Sequence, residues 1–255
     1  MKSCFVLILV LAGAAAGAIE KRVLGSKSCG KERQYHVEIE AVQGGKACGG
    51  ALLNPRWVIT AAHCAGQTVK VKIAFHLEMS FLKKAKAFFK NKPIKKEQVI
   101  DVKQQFPRKE EDNSHDLMLI KLNEDVSPKF PTIQLPAAEC TKPALKQQVQ
   151  IGGWGAKKAD MKNKKTKKLM CSTTMIGDCG ENDKPDKDYN SDDIMCAFKP
   201  GVESCHGDAG TAVEYNDILY GIIVSEPIDK CANPIVMVDI CPHLKWIEDT
   251  MRSAN

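Results

Sequence analysis

The chain has 255 residues, with 37 Lys and Arg against 31 Asp and Glu for a net charge of +6, and it contains 18 glycines, 12 prolines and 11 cysteines. That length is enough for one large β domain or two smaller ones with a real buried core. No Cys-x-x-Cys pair occurs and the six histidines show no ligand spacing, so no zinc site and no cofactor is expected.

Met1–Ala18 reads as a secretory signal: Lys2, an apolar run from Cys4 to Ala12, then Ala16-Gly17-Ala18 at a small-residue cleavage site. The rival reading, a membrane anchor, fails on length, and no second apolar stretch approaches what a bilayer requires. Removing Cys4 with the signal leaves ten cysteines. An even number in an oxidising compartment argues for disulfides over metal thiolates.

Beyond the signal, short β-branched stretches recur between turn signals: Trp57–Thr60, Val69–Ile73, Leu117–Leu122, Val149–Gly152, Leu219–Val224 and Ile235–Ile240. That rhythm predicts an all-β sandwich or barrel. After Pro242, the residues Leu244, Ile247 and Met251 share one helical face with Trp246 alongside, predicting a short amphipathic helix at the end. His36, His76 and His243 read as surface or core residues without a functional role.

Three motifs carry a family resemblance. Cys48-Gly49-Gly50-Ala51-Leu52 with Trp57-Val58-Ile59-Thr60-Ala61-Ala62-His63-Cys64 resembles the histidine motif of the trypsin-like serine proteases. His115-Asp116-Leu117-Met118-Leu119-Ile120 resembles their aspartate motif, and Cys205-His206-Gly207-Asp208-Ala209-Gly210-Thr211-Ala212 their nucleophile loop. The order and approximate spacing match over Val23 to Asn255. The resemblance implies two antiparallel six-stranded Greek-key barrels and a short C-terminal helix. Residues 1–18 would be the signal, 19–22 a short propeptide and 23–255 the peptidase domain. Within it the first barrel would span about 29–130, the second about 131–241 and the helix about 243–252. It also implies pairing of Cys48 with Cys64, Cys29 with Cys171, Cys140 with Cys241, Cys179 with Cys196, and Cys205 with Cys231.

The chemistry implied is that of a hydroxyl nucleophile, a histidine base and a carboxylate that fixes the base's tautomer. His63 and Asp116 take the second and third roles. At the first stands Ala209, whose methyl cannot attack a carbonyl. The N–H groups of Gly207 and Ala209 would form an oxyanion hole that needs no side chain. Lys21-Arg22 before Val23-Leu24-Gly25-Ser26 resembles a zymogen junction, where cleavage after Arg22 frees the Val23 amine to pair with Asp208. Plain trimming without a switch is the alternative.

Other departures accompany the alanine. Thr211 and Ala212 replace the family's Gly-Pro, which an engineered knockout would have kept. Glu203, six residues before Ala209, matches the base of the specificity pocket, where an acid selects Lys and Arg. Ile235 stands where a glycine lines the pocket wall, and its side chain is expected to fill that space. Glu226-Pro227 replaces the edge that pairs with a substrate backbone; Pro227 has no N–H to offer. Thr211, Ser204 and Ser225 are the hydroxyls available nearby, and none sits at the nucleophile's turn. The family's calcium-binding loop is not recognisable at Ala74-Phe75-His76-Leu77, so no metal is expected.

Charge is segregated. Lys83, Lys84, Lys86, Lys90, Lys92, Lys95 and Lys96 form one acid-free run; Lys157, Lys158, Lys162, Lys164, Lys165, Lys167 and Lys168 form another, interrupted by Asp160. Either run alone reads as a solvated loop. Two together suit an anionic polysaccharide, an anionic lipid or a microbial surface. Phe88 and Phe89 inside the first run read as core residues. Nucleic acid is not the expected target of a secreted chain. The favoured expectation is a secreted, inactive homologue that acts by binding, to such a surface, a protein or a protease. The other is an active trypsin-type endopeptidase, cleaving after Arg or Lys, whose serine is altered in this version. No N-x-Ser/Thr acceptor for N-glycosylation is present.

Overall fold

The structure, a computed structural model, describes residues 26–30, 33–45, 47–75, 94–109, 114–155, 169–180, 183, 193–205, 208–225, 231 and 234–254. Among the described residues, two antiparallel sheets and one terminal helix make up the main regular structure. The first sheet contains β2 (His36–Ala41), β3 (Ala47–Asn54), β4 (Trp57–Thr60), β5 (Val69–Phe75), β6 (Ile94–Ile100), β7 (Gln105–Lys109) and β8 (Ser114–Lys121). Its order is β6-β5-β2-β3-β4-β8-β7. The second contains β1 (Lys27–Ser28), β9 (Gln148–Gly153), β10 (Met170–Gly177), β11 (Ile194–Ala197), β12 (Ala212–Tyr215), β13 (Ile218–Ile223) and β14 (Ile235–Asp239). There β10-β11-β14-β13-β12-β9 closes on itself through the β9–β10 pairing, and β1 is added to β10.

The expected all-β, trypsin-like architecture of two barrel-like sheets with a short C-terminal helix is therefore present. The second sheet is a closed six-stranded ring. The first is a half-barrel of seven strands with β6 and β7 at its edges among the described residues.

Local chemistry explains the hairpins. Asn54 Oδ1 accepts the N–H groups of Arg56 at 2.8 Å and Trp57 at 3.0 Å, an Asx turn that reverses β3 into β4. Between β12 and β13 only Asn216 and Asp217 intervene, at φ 51° and 63°. Both tolerate the left-handed region, and the type I′ hairpin needs it at both central positions. The strands then bury continuous apolar runs: Val58, Ile59, Leu117, Leu119 and Ile120 in the first sheet, and Val213, Ile223, Ile235 and Met237 in the second.

Five disulfides join Cys29–Cys171, Cys48–Cys64, Cys140–Cys241, Cys179–Cys196 and Cys205–Cys231. The first and third close loops of 142 and 101 residues, the kind that restrict the unfolded chain most. From the segment just before β2, Arg33 pairs with buried Glu214 of β12 at 2.6 Å, and Tyr35 Oη donates to the same carboxylate. A 3₁₀ turn at Cys241–His243 leads into α1 (Leu244–Ser253), which buries Leu244 and Ile247. Among the described residues no helix is long and apolar enough to cross a membrane.

Candidate active site

The histidine and aspartate motifs meet between β4 and β8. Strand β4 ends at Thr60, and a 3₁₀ turn over Ala62–Cys64 presents His63, whose side chain is 18% exposed. Asp116 on β8 is 3% exposed. Asp116 Oδ1 accepts the His63 backbone N–H at 2.8 Å, and Oδ2 meets the ring Nδ1. One carboxylate thus holds both the main chain and the imidazole of its partner. This is the arrangement that the motif reading expects of a base and the carboxylate that orients it.

The nucleophile loop is built as a tight turn. Asp208 N–H donates to the Cys205 carbonyl at 3.0 Å, and Thr211 N–H to the Asp208 carbonyl at 3.1 Å. Gly210 turns the chain at φ +82°, where a Cβ would lie 2.3 Å from both the Gly49 carbonyl oxygen and Thr60 Oγ1. On one side the Ala209 carbonyl accepts Gly49 N–H at 2.7 Å; on the other Gly210 N–H donates to the Ile223 carbonyl at 2.7 Å. The turn is thereby fastened to both sheets. Ala209 sits at its tip, 7% exposed and clustered with apolar residues that include Cys48 and Cys64.

Two of the nearby hydroxyls, those of Thr211 and Ser225, are engaged with backbone groups, whereas the buried Ser204 Oγ has no hydrogen-bond partner among the described residues. Thr211 Oγ1 donates to the Asp208 carbonyl at 2.7 Å. Ser225 Oγ accepts Val236 N–H at 2.8 Å and lies 3.2 Å from the Val236 carbonyl, which also accepts Val224 N–H at 2.9 Å. Ser204 is buried. The segment leading to Glu226 is closed onto β14 by these bonds.

Asp208 is enclosed. Its Oδ1 accepts Gly155 N–H at 2.8 Å and its Oδ2 accepts Cys205 N–H at 2.9 Å. A Cβ on Gly153 or Gly155 would lie 2.0 or 2.1 Å from these oxygens, so glycine is required at both positions for the carboxylate to enter. Burial raises its pKa to about 6, against the two backbone hydrogen bonds that favour the ion. Such a carboxyl would gain from a neighbouring cation. Arg22 and Val23, which the motif reading assigns to that role, lie outside the described residues, as do Gly207, Glu226 and Pro227.

Around the expected specificity pocket, Glu203 is half-buried beside buried Val202. Ile235 opens β14 opposite Ala197 and is fully buried in one apolar cluster with Ala197, Val202, Val213 and Ile223. Of the lysine runs, Lys83, Lys84, Lys86, Lys90 and Lys92, with Phe88 and Phe89, and all of Lys157, Lys158, Lys162, Lys164, Lys165, Lys167 and Lys168 lie outside the described residues, as does His76. Lys95 and Lys96 belong to edge strand β6, where Lys96 pairs with Glu124 at 3.1 Å.

Sequence reading missed two features. Gly49 lies under Thr211, whose Cγ2 would be 2.0 Å from a Cβ at Gly49. Separately, His115, Asp193 and His243 form a buried cluster; only the motif neighbour Asp116 pointed near it, because its members are far apart in sequence.

Comparison with known proteins agrees with this geometry. The family model described as Trypsin matches residues 23–247. Human kallikrein-8 is 31% identical over 264 residues, covering 98% of this chain and 95% of its own length. Human kallikrein-2 is 29% identical over 261 residues, covering 96% and 97%. The solved structure of neuropsin, a serine protease expressed in the limbic system of mouse brain, superposes with a TM-score of 0.66 at 26% identity, over 89% of this chain and 98% of that one. A dyad at His63 and Asp116, a fastened nucleophile turn and similarity along nearly the whole length place the chain in the trypsin family, as a kallikrein-like serine protease homologue.

Proposed function

We propose that this protein is a secreted, proteolytically inactive member of the trypsin family that acts by binding. Ala209 carries the reading. The His63–Asp116 pair is oriented to take a proton, yet the residue at the nucleophile turn has no side-chain oxygen to give one. Losing the nucleophile alone costs a serine protease on the order of 10⁶-fold in turnover. The engagement of Thr211 and Ser225 with backbone groups supports the same conclusion, because a substitute hydroxyl must reach the base. Burial of Ile235 and the Glu226-Pro227 substitution further disfavour substrate docking beside Glu203. The oxyanion donors Gly207 and Ala209, being backbone groups, would survive the change.

Secretion rests on Met1–Ala18 and on five disulfides, which persist in oxidising compartments. Cleavage after Arg22 would release Val23 toward Asp208, whose buried carboxyl is suited to an ammonium partner. The binding partner we infer is an anionic polysaccharide or surface, met by the lysine runs that lead into the start of β6 and lie between β9 and β10 in sequence. The test uses the mature protein cleaved after Arg22. It should hydrolyse neither Arg nor Lys esters, and should leave immobilised heparin only well above physiological salt. Ester turnover that disappears when His63 is alkylated would overturn the inactivity; elution at low salt would overturn the anionic partner.

A further inference from the structure

Behind the candidate active site lies a second cluster of ionisable groups. Successive strand residues point to opposite faces, so β8 directs Asp116 toward His63 and His115 away from it. His115 Nδ1 lies 2.8 Å from Asp193 Oδ2, and His243 Nε2 lies 3.6 Å from the same oxygen. The two imidazoles meet edge to face with centroids 4.8 Å apart. One ligand atom from each residue can be chosen so that all three lie within 4.8 Å of one another. The side chains of His115 and His243 are buried, and that of Asp193 is 10% exposed.

We propose that His115, Asp193 and His243 form a binding site for a divalent cation of the zinc class. Imidazole and carboxylate donors suit zinc, with bonds of about 2.0–2.2 Å. Tetrahedral donors on such bonds stand about 3.3 Å apart, and the two separations at Asp193 Oδ2 straddle that value. Three protein ligands leave a fourth position for water. The ligands come from β8 of the first sheet, from the residue preceding β11 of the second, and from the turn entering α1. A bound cation would therefore tie together three segments widely separated in sequence, including the strand that carries Asp116. This assignment is independent of the proteolytic status of Ala209.

The test is thermal unfolding of the chelator-treated full chain with and without added zinc. At zinc a hundredfold above Kd, Tm should rise by about 5–10 °C for a chain of this size. Asp193→Asn and His243→Gln, which keep side-chain volume and hydrogen-bonding groups, should each abolish the rise, whereas His63→Ala should keep it. Cobalt(II) should give a visible absorption spectrum in the parent chain that both ligand variants lose, so one variant's failure to fold leaves the other to decide. No rise in Tm at millimolar zinc would overturn the proposal. A rise unchanged in both ligand variants, or one lost in His63→Ala, would also overturn it by assigning the ion elsewhere.

Discussion

Asp116 binds His63 twice: one carboxylate oxygen accepts the backbone N–H at 2.8 Å and the other meets the ring Nδ1. His63 is therefore held through its main chain as well as through its imidazole. Neither bond involves the side chain of residue 209.

That independence makes Ala209→Ser an informative substitution. On the proposed reading His63 is the base and residue 209 the nucleophile's place, so the serine variant should gain measurable ester hydrolysis over the parent. The gain should remain below about 100-fold, far short of the roughly 10⁶-fold that a nucleophile is worth in an intact site. Steady-state hydrolysis of Arg and Lys esters, with Ala209→Ser/Asp116→Asn as control, measures it. A gain approaching the full factor would mean that the pocket and docking edge are intact.

Gly49 and Thr211 form a complementary pair in the wall of the nucleophile turn. Gly49→Ala forces a methyl against Thr211 Cγ2 and should cost about 1–3 kcal/mol of stability by overpacking. Thr211→Ser removes Cγ2 and keeps the hydroxyl that donates to the Asp208 carbonyl. In the double variant most of the loss should be recovered. A urea-unfolding double-mutant cycle should therefore show strong coupling; simple additivity would refute the contact.

Buried His36 should govern the acid side of the stability profile. Burial lowers its pKa to about 4, while the unfolded side chain titrates near 6.5. Between those values the unfolded chain binds more protons, so this contribution is complete above pH 6.5 and disappears as pH falls through 4. Asp208 acts in the opposite sense. With its folded pKa raised to about 6, its contribution is complete below the unfolded value and is lost as pH rises through 6. His36→Gln removes the first effect and leaves the second. Relative to the parent, the variant should gain about 2–3 kcal/mol between pH 7 and pH 4, read from urea unfolding at the two pH values.

The lysine runs make a separable prediction. Changing Lys157, Lys158, Lys164 and Lys165 to Glu should lower the salt needed to elute the protein from heparin, without altering Tm by more than the small amount typical of surface substitutions. Unchanged elution would remove that run from the binding surface. The same four changes leave Lys96, which is paired with Glu124, untouched.

Much of this protein was legible in its order of residues. Short apolar β-branched segments between turn signals and the apolar face after Pro242 locate the strands and the final helix, since these depend on neighbours a few positions apart. Ala209 could also be read directly, because the absence of an oxygen is a property of one residue. Other features required the folded chain. Nothing local to Gly49 announces the threonine that lies over it, nor do Gly153 and Gly155 reveal that they make room for the Asp208 carboxylate. His115, Asp193 and His243 have no common spacing, and only the crossing of β8, the start of β11 and the turn before α1 brings them within coordinating distance. Sequence periodicity encodes which face of an element is buried; which distant side chains share that buried space is decided by how the sheets close and meet.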